Sequence, residues 1–332
     1  MQTVTCAYKN KNQRREGNQM MKYCIGIDMG GTTVKLGLFS REGQLLERDE
    51  IATRWQLGRQ TVLEDIAASA HTLTGRRKIP LHDCTAGFGV AGPIDSQGYA
   101  DAVVNLNMYD FYPGRELSEK LDNIPVTAAN DANVAALGEM WQGGGKGYQN
   151  LLFITLGTGV GSGIVLNEKI IHGAHGLAGE IGHIWVNPHE PETCSCGGKG
   201  CLDQMASATG IVRNARRFLA KTEAESSLRQ INDLTAKDVF NAAKAGDAVA
   251  RETVDYCMGF LGKSIADVSY VIDPEIVVIG GGMSKAGQYL LDVVFDHYRR
   301  YPKLKKTLCR FALADLGGDA GIYGAARLAL DL

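Results

Sequence analysis

No stretch of this 332-residue chain approaches the roughly 20 consecutive apolar residues that cross a bilayer. Its first twenty residues are polar and basic, without the apolar run of a secretion signal. The expected location is therefore cytoplasmic, with no membrane partner. Charge of one sign is lacking too: 35 Lys and Arg stand against 37 Asp and Glu, a formal charge of −2. That balance leaves no overall positive field for gripping nucleic acid.

Several enzyme signatures are absent as well. No G-x-x-x-x-G-K-[ST] occurs, and Gly157, Gly159, Gly161 and Gly163 alternate, missing the G-x-G-x-x-G spacing of a dinucleotide fold. Neither H-E-x-x-H nor G-x-S-x-G is present, which sets aside the zinc proteases and serine hydrolases built on those motifs.

What the chain does have is size: at 45% hydrophobic residues, a chain this long buries about 75% of its unfolded surface, enough for two lobes. Residues 1–21 show no apolar periodicity and are expected to lie outside the fold as a tail. The codons of Arg14-Arg15-Glu16-Gly17 read as a purine-rich ribosome-binding site, so translation is expected to start at Met20 or Met21. Intact mass of the protein from its native host checks this.

From Lys22 onward the pattern is α/β. Strand-like runs at 23–28, 34–39 and 45–51 form a meander that opens on the turn Gly30-Gly31-Thr32-Thr33. A helix is expected at 62–73, a strand at 85–90, a short helix at 115–121 and a strand at 126–129, ending at Asn130-Asp131. Val134, Leu137 and Trp141 then have helical spacing, and after Gly143-Gly144-Gly145 a second hairpin follows at 151–156 and 164–166. Its turn, Gly157-Thr158-Gly159, repeats the opening of the chain and suggests two related lobes. Val254, Met258, Leu261, Ile265, Val268 and Ile272 mark a buried helix, followed by a strand at 276–279 and a third glycine turn, Gly280-Gly281-Gly282.

Glycine turns let backbone N–H groups approach an anion closely, and threonine hydroxyls add donors. Each alone is an ordinary tight turn, but three, each after a strand, imply a nucleotide. Asp28 ends the first strand just before its turn, where a carboxylate repels phosphate unless a divalent cation lies between them, so it is a candidate Mg²⁺ residue. Asp131 is a candidate base for an attacking hydroxyl, with Asn130 orienting the substrate. The plainer reading of the Asn-Asp pair is helix N-capping.

Of the eight cysteines, Cys6, Cys24, Cys84, Cys257 and Cys309 are scattered and read as inert core thiols, whereas Cys194, Cys196 and Cys201 cluster. In a reducing compartment a metal site is the stronger reading of such a cluster. With His183 eleven residues upstream it makes a Cys₃His set suited to structural zinc. Three buried thiols, a redox pair, or Cys84 or Cys257 replacing one ligand are the alternatives. A metal on one ring nitrogen of His183 leaves the other as a fixed N–H donor for a hydroxyl, and Glu180 is placed to bond its neighbours.

Ile27-Asp28-Met29-Gly30-Gly31-Thr32, Asn130-Asp131-Ala132-Asn133, Glu180-x-x-His183 and the cysteine triad, in this order, resemble the ROK family over about residues 22–330. Ala136-Leu137-Gly138-Glu139-Met140-Trp141 and Ile154-Thr155-Leu156-Gly157-Thr158-Gly159-Val160-Gly161 are most similar to its bacterial glucokinases. The resemblance implies an α/β, two-lobed ribonuclease-H-like fold of the hexokinase/actin type with a cleft between the lobes. A small lobe of residues 22–129, closed by a C-terminal helix at 318–332, would face a large lobe of residues 130–317.

It further implies ATP-dependent phosphorylation of glucose at the 6-hydroxyl, with Asp131 as catalytic base. Sugar contacts fall on Asn105, Asn130, Asp131, Glu180, His183 and Asp203. ATP phosphates fall on Gly30, Gly31, Thr32, Thr33, Gly157, Thr158 and Gly159, flanked by Lys35 and Thr155, with Mg²⁺ near Asp28 and adenosine near Gly280, Gly281 and Gly282. Zn²⁺ falls on His183, Cys194, Cys196 and Cys201, and a homodimer through the large lobe is implied.

Two positions depart from the family pattern: Asp203 replaces a glutamate, and Val104-Asn105-Leu106-Asn107-Met108 replaces Pro-Asn-Leu-x-Trp. Another aldose, an amino sugar, or polyphosphate as donor is therefore an alternative. A sugar-responsive repressor is a further one, but the polar residues before Lys22 hold no pair of apolar-periodic helices for a DNA-binding domain.

Overall fold

The computed structural model describes residues 21–301 and 309–332. The expected tail, apart from Met21, and Cys6 lie outside the described residues. Strands β1 (Tyr23–Met29), β2 (Thr33–Ser40) and β3 (Leu45–Ala52) form the expected meander, followed by α1 (Arg59–Arg76) and β4 (Cys84–Val90). A small hairpin, β5 (Ala100–Val103) and β6 (Met108–Phe111), precedes α2 (Pro113–Lys120), β7 (Val126–Asn130) and α3 (Asp131–Gln142). The chain then restarts with β8 (Leu151–Leu156), β9 (Val160–Leu166) and β10 (Lys169–Ile170).

Four helices follow: α4 (Leu202–Ala206), α5 (Ala208–Lys221), α6 (Ala236–Ala245) and α7 (Ala248–Ile272). The last is the expected buried helix, and it ends at Asp273, whose left-handed φ of 45° precedes Pro274. Then come β11 (Ile276–Gly280), α8 (Gln288–Arg299), β12 (Arg310–Leu313) and α9 (Ala320–Ala329).

The two main sheets have one topology. The first runs β3-β2-β1-β4-β7 and the second β10-β9-β8-β11-β12. In each, the first hairpin is antiparallel and the later two strands join in parallel. The internal restart seen in the sequence is thus a repeat of a whole sheet. Each sheet has its own core: Ile25, Ile27, Leu36, Ile66 and Phe88 on one side, and Leu152, Ile154, Val254, Leu261 and Ile279 on the other.

Helices α3 and α9 cross where the two sheets meet. Their backbones touch, since a methyl on Gly324 would coincide with the Val134 carbonyl oxygen. Only glycine allows that approach. Glu139 of α3, fully buried, fixes the same crossing by accepting the N–H groups of Gly144 (2.8 Å), Asp315 (3.0 Å) and Leu316 (3.0 Å).

Candidate active site

Two carboxylates stand at the C-terminal edge of the first sheet, the edge at which parallel α/β sheets take ligands. Asp28 is the penultimate residue of β1, paired with Gly89 of β4 and Lys35 of β2. Asp131 follows β7, with β4 between the two, so their strands lie about 10 Å apart. Burial pushes the Asp28 carboxyl up to about 6, helped by the negative charge of Asp131 and opposed by Lys35. Asp131 is also shifted upward, by burial first and by Glu180 as well, against the hydrogen bond it accepts from Ala132 N–H at 2.8 Å. Asp28 thus feels the charge of Asp131, and Asp131 that of the exposed Glu180.

Asn130 is the N-cap of α3: its Oδ1 accepts Asn133 N–H at 3.1 Å, and its Nδ2 donates to the Gly92 carbonyl at 3.2 Å. Asp131, the first residue of α3, is therefore not its N-cap, although its Oδ1 accepts the N–H of the next residue, Ala132. Lys35 donates from Nζ to the Gly318 carbonyl at 2.6 Å, just ahead of α9. Asn105 is exposed on the turn between β5 and β6.

The glycine turns are open. At the first, Gly30 N–H reaches the Thr33 carbonyl at 3.0 Å, Thr53 Oγ1 donates to the Gly30 carbonyl at 2.8 Å, and Gly31 and Thr32 face solvent. At the second, Gly157 N–H reaches the Gly159 carbonyl at 2.9 Å. Thr155 pairs with Gly280, which brings the turns at 157–159 and 280–282 side by side. A cavity of about 690 Å³ opens beside Thr158, lined by Thr209, Val212, Arg216, Leu234 and Ala236 among others.

The fourth feature is the cysteine loop. The ligand atoms of His183, Cys194, Cys196 and Cys201 all lie within 4.8 Å of one another. Cys196 Sγ is 3.6 Å from Cys201 Sγ, and Cys194 Sγ is 3.8 Å from His183 Nδ1. A tetrahedral site with Zn–S bonds of about 2.3 Å separates its sulfurs by about 3.8 Å, so the residues present fit zinc. With Nδ1 turned to the sulfurs, Nε2 of His183 is left for another partner.

Among the described residues, the other thiols lie outside this cluster. Cys24, Cys84 and Cys257 are wholly buried, and burial pushes each up to about 12. Cys309 bonds the Tyr298 hydroxyl at 3.1 Å.

Sequence reasoning missed the residues that brace this loop. Gln204, buried, accepts Gly200 N–H at 2.8 Å and Cys201 N–H at 3.2 Å, and donates to the Glu192 carbonyl at 3.0 Å. Glu190, also buried, holds Arg217 through two hydrogen bonds of 2.8 and 2.9 Å. Nothing in the linear spacing marks either one. Asp203, two residues past Cys201, accepts Val160 N–H through Oδ1 at 2.6 Å.

The chain is 43% identical over 311 residues to a glucokinase of Halalkalibacterium halodurans, covering 91% of this chain and 93% of that one. A ROK hexokinase of Thermus thermophilus superposes with a TM-score of 0.79 at 30% identity, covering 92% of this chain and 97% of the other. A ROK-family glucokinase of Streptomyces griseus, solved with glucose and AMPPNP, superposes at 0.74 with 31% identity, covering 93% and 100%. The two-lobed hexokinase/actin-type fold is therefore that of this chain. Its doubled sheet, its ordered glycine turns and cysteine loop, and a match to the ROK family model over residues 24–332 make the chain a member of the ROK family.

Proposed function

We propose that the protein is an ATP-dependent hexose kinase that transfers the γ-phosphoryl group to the 6-hydroxyl of glucose. The observation that carries this is the carboxylate of Asp131: Asn130 caps α3, and a half-buried, upward-shifted acid beside it, with Oδ1 accepting Ala132 N–H, is the candidate to take a proton. As the 6-hydroxyl attacks phosphorus, Asp131 accepts its proton, while backbone N–H groups of the turns at 30–33 and 157–159 bear the phosphate charge. Asp28 is the residue placed to hold Mg²⁺, which neutralises phosphate charge when bound.

Asn105, Asn130, Glu180, His183 and the second oxygen of Asp203 are the proposed sugar contacts. The adenosine is proposed to lie in the cavity beside Thr158, next to Gly280, Gly281 and Gly282. Zinc on His183, Cys194, Cys196 and Cys201 would hold His183 Nε2 toward the sugar. The lobes are proposed to divide as 22–129 with 318–332 and 130–317.

No helix among the described residues is long and apolar enough to cross a membrane, and a cytoplasmic enzyme is proposed. A homodimer through the large lobe accords with exposed Tyr256, Tyr270 and Val271 on α7.

An amino sugar or another aldose is the second reading, favoured by the short Asp203 side chain, which is already engaged at Val160. Coupled ADP release over a panel of hexoses and amino sugars, with the phosphorylated carbon assigned by NMR, tests the proposal. Glucose 6-phosphate as the fastest-formed product supports it; no ADP release with any hexose defeats it.

A further inference from the structure

Asp203 does more than the sugar contact assigned to it above. Its Oδ1 is 2.6 Å from Val160 N, the first residue of β9, and a Cβ placed on Gly159 would stand 2.6 Å from the same oxygen. Two further bonds reach the same turn from the segment just downstream. Ala208 N–H donates to the Gly157 carbonyl at 2.8 Å, and Thr209 Oγ1 donates to the Thr158 carbonyl at 2.8 Å. Thr209 Oγ1 is in turn 2.9 Å from the hydroxyl of Ser207, which is fully buried. Every residue of the 157–160 turn except Gly159 is thus bonded to residues 203–209, and Gly159 is confined by contact.

The same segment begins at the cysteine loop. Cys201 caps α4 and carries one of the four clustered ligand atoms. Its N–H is held by Gln204, and Leu202 N–H donates to the Ile184 carbonyl at 2.9 Å, one residue past His183. Nine residues therefore connect the metal loop to the turn through short bonds and two helix starts.

We propose that Asp203 is a positioning residue that fixes the Gly157-Thr158-Gly159 turn for nucleotide phosphate, so that the 201–209 segment couples the metal loop to the nucleotide side of the site. The proposal rests on the reading that this turn receives phosphate. A carboxylate accepting a backbone N–H forms a charge-assisted bond, stronger than a neutral one and well suited to setting a turn. A side chain that only contacts sugar affects sugar binding alone, whereas a side chain that sets the turn affects nucleotide binding even when no sugar is present.

The test is calorimetric titration of ADP with Mg²⁺ in the absence of sugar, on wild type, Asp203→Ala, Asp203→Asn and Thr209→Val. Asp203→Ala is expected to weaken ADP binding about tenfold, the size of one charge-assisted bond. Asp203→Asn, whose amide oxygen still accepts, and Thr209→Val, which loses a neutral bond, are expected to weaken it about threefold. Thr209→Val leaves the metal loop and the sugar contacts untouched, and because Thr209 also lines the cavity proposed for adenosine, Thr209→Ser is its control: it keeps the hydroxyl bond to the turn and should restore ADP affinity if the loss comes from the turn. ADP affinities within twofold of wild type in both Asp203→Ala and Thr209→Val, with only the glucose KM raised, overturn the coupling. A wild-type protein that binds no ADP removes the nucleotide reading itself, and the coupling with it.

Discussion

The negative charge of Asp131 raises the proton affinity of Asp28 across strand β4. Burial is the larger cause, and together they bring the Asp28 carboxyl to about 6, above the ordinary 3.8 of its side chain. A cation arriving at Asp28 relieves both effects, because it adds positive charge beyond that of Lys35 to the half-buried pair.

A pH dependence follows from that shift. Asp28 must be ionised to hold a cation, so Mg²⁺-dependent ADP binding should weaken as pH falls below about 6, and Asp28→Asn should abolish this part of the profile. The effect on stability has the opposite sense. A carboxyl whose folded pKa is raised favours the folded state most below its unfolded value near 3.8, and that contribution is lost as pH rises through about 6. Titration of ADP with Mg²⁺ at pH 5, 6 and 7 checks the binding arm; affinity independent of pH across this window contradicts it.

Cys196→Ser removes one of the four clustered ligand atoms. Metal binding to a folded site is itself folding free energy, so the variant should lose metal, melt at lower temperature and bind sugar more weakly. Elemental analysis together with thermal melts checks this. One equivalent of zinc retained by the variant argues against the ligand set.

Glu139→Ala strands three backbone N–H groups at the α3–α9 crossing. Each bond to a charged acceptor contributes roughly 1.5–3 kcal/mol, so the variant should be destabilised by about 3 kcal/mol or more. Urea denaturation measures it, and a loss under about 1 kcal/mol shows that the crossing is held elsewhere.

Legibility in the sequence followed range. The meander, the restart at 151, the glycine turns and the cysteine loop are local patterns, and each lies where its spacing indicates. The alternating glycines of β9 hid its first half, so a strand expected from 164 begins at Val160. The hairpin of β5 and β6 and the short β10 carry too few alternating residues to stand out. Asn130 and Asp131 are equally good N-caps, and only the fold divides their labour. Lys35 meets Gly318 across 283 residues of sequence, and Asp203 meets Val160 across 43; no spacing rule marks such contacts.

The central claim is that Asp131 takes the proton of the sugar hydroxyl. Its most direct test is a rapid-quench single turnover of ATP with glucose, comparing wild type with Asp131→Asn, whose glucose affinity is measured separately by titration. The phosphoryl-transfer rate should fall by about 10²–10⁴ while glucose still binds, the usual cost of losing a general base. A transfer rate within a few-fold of wild type would contradict the account and leave Asp131 a half-buried residue at the start of α3.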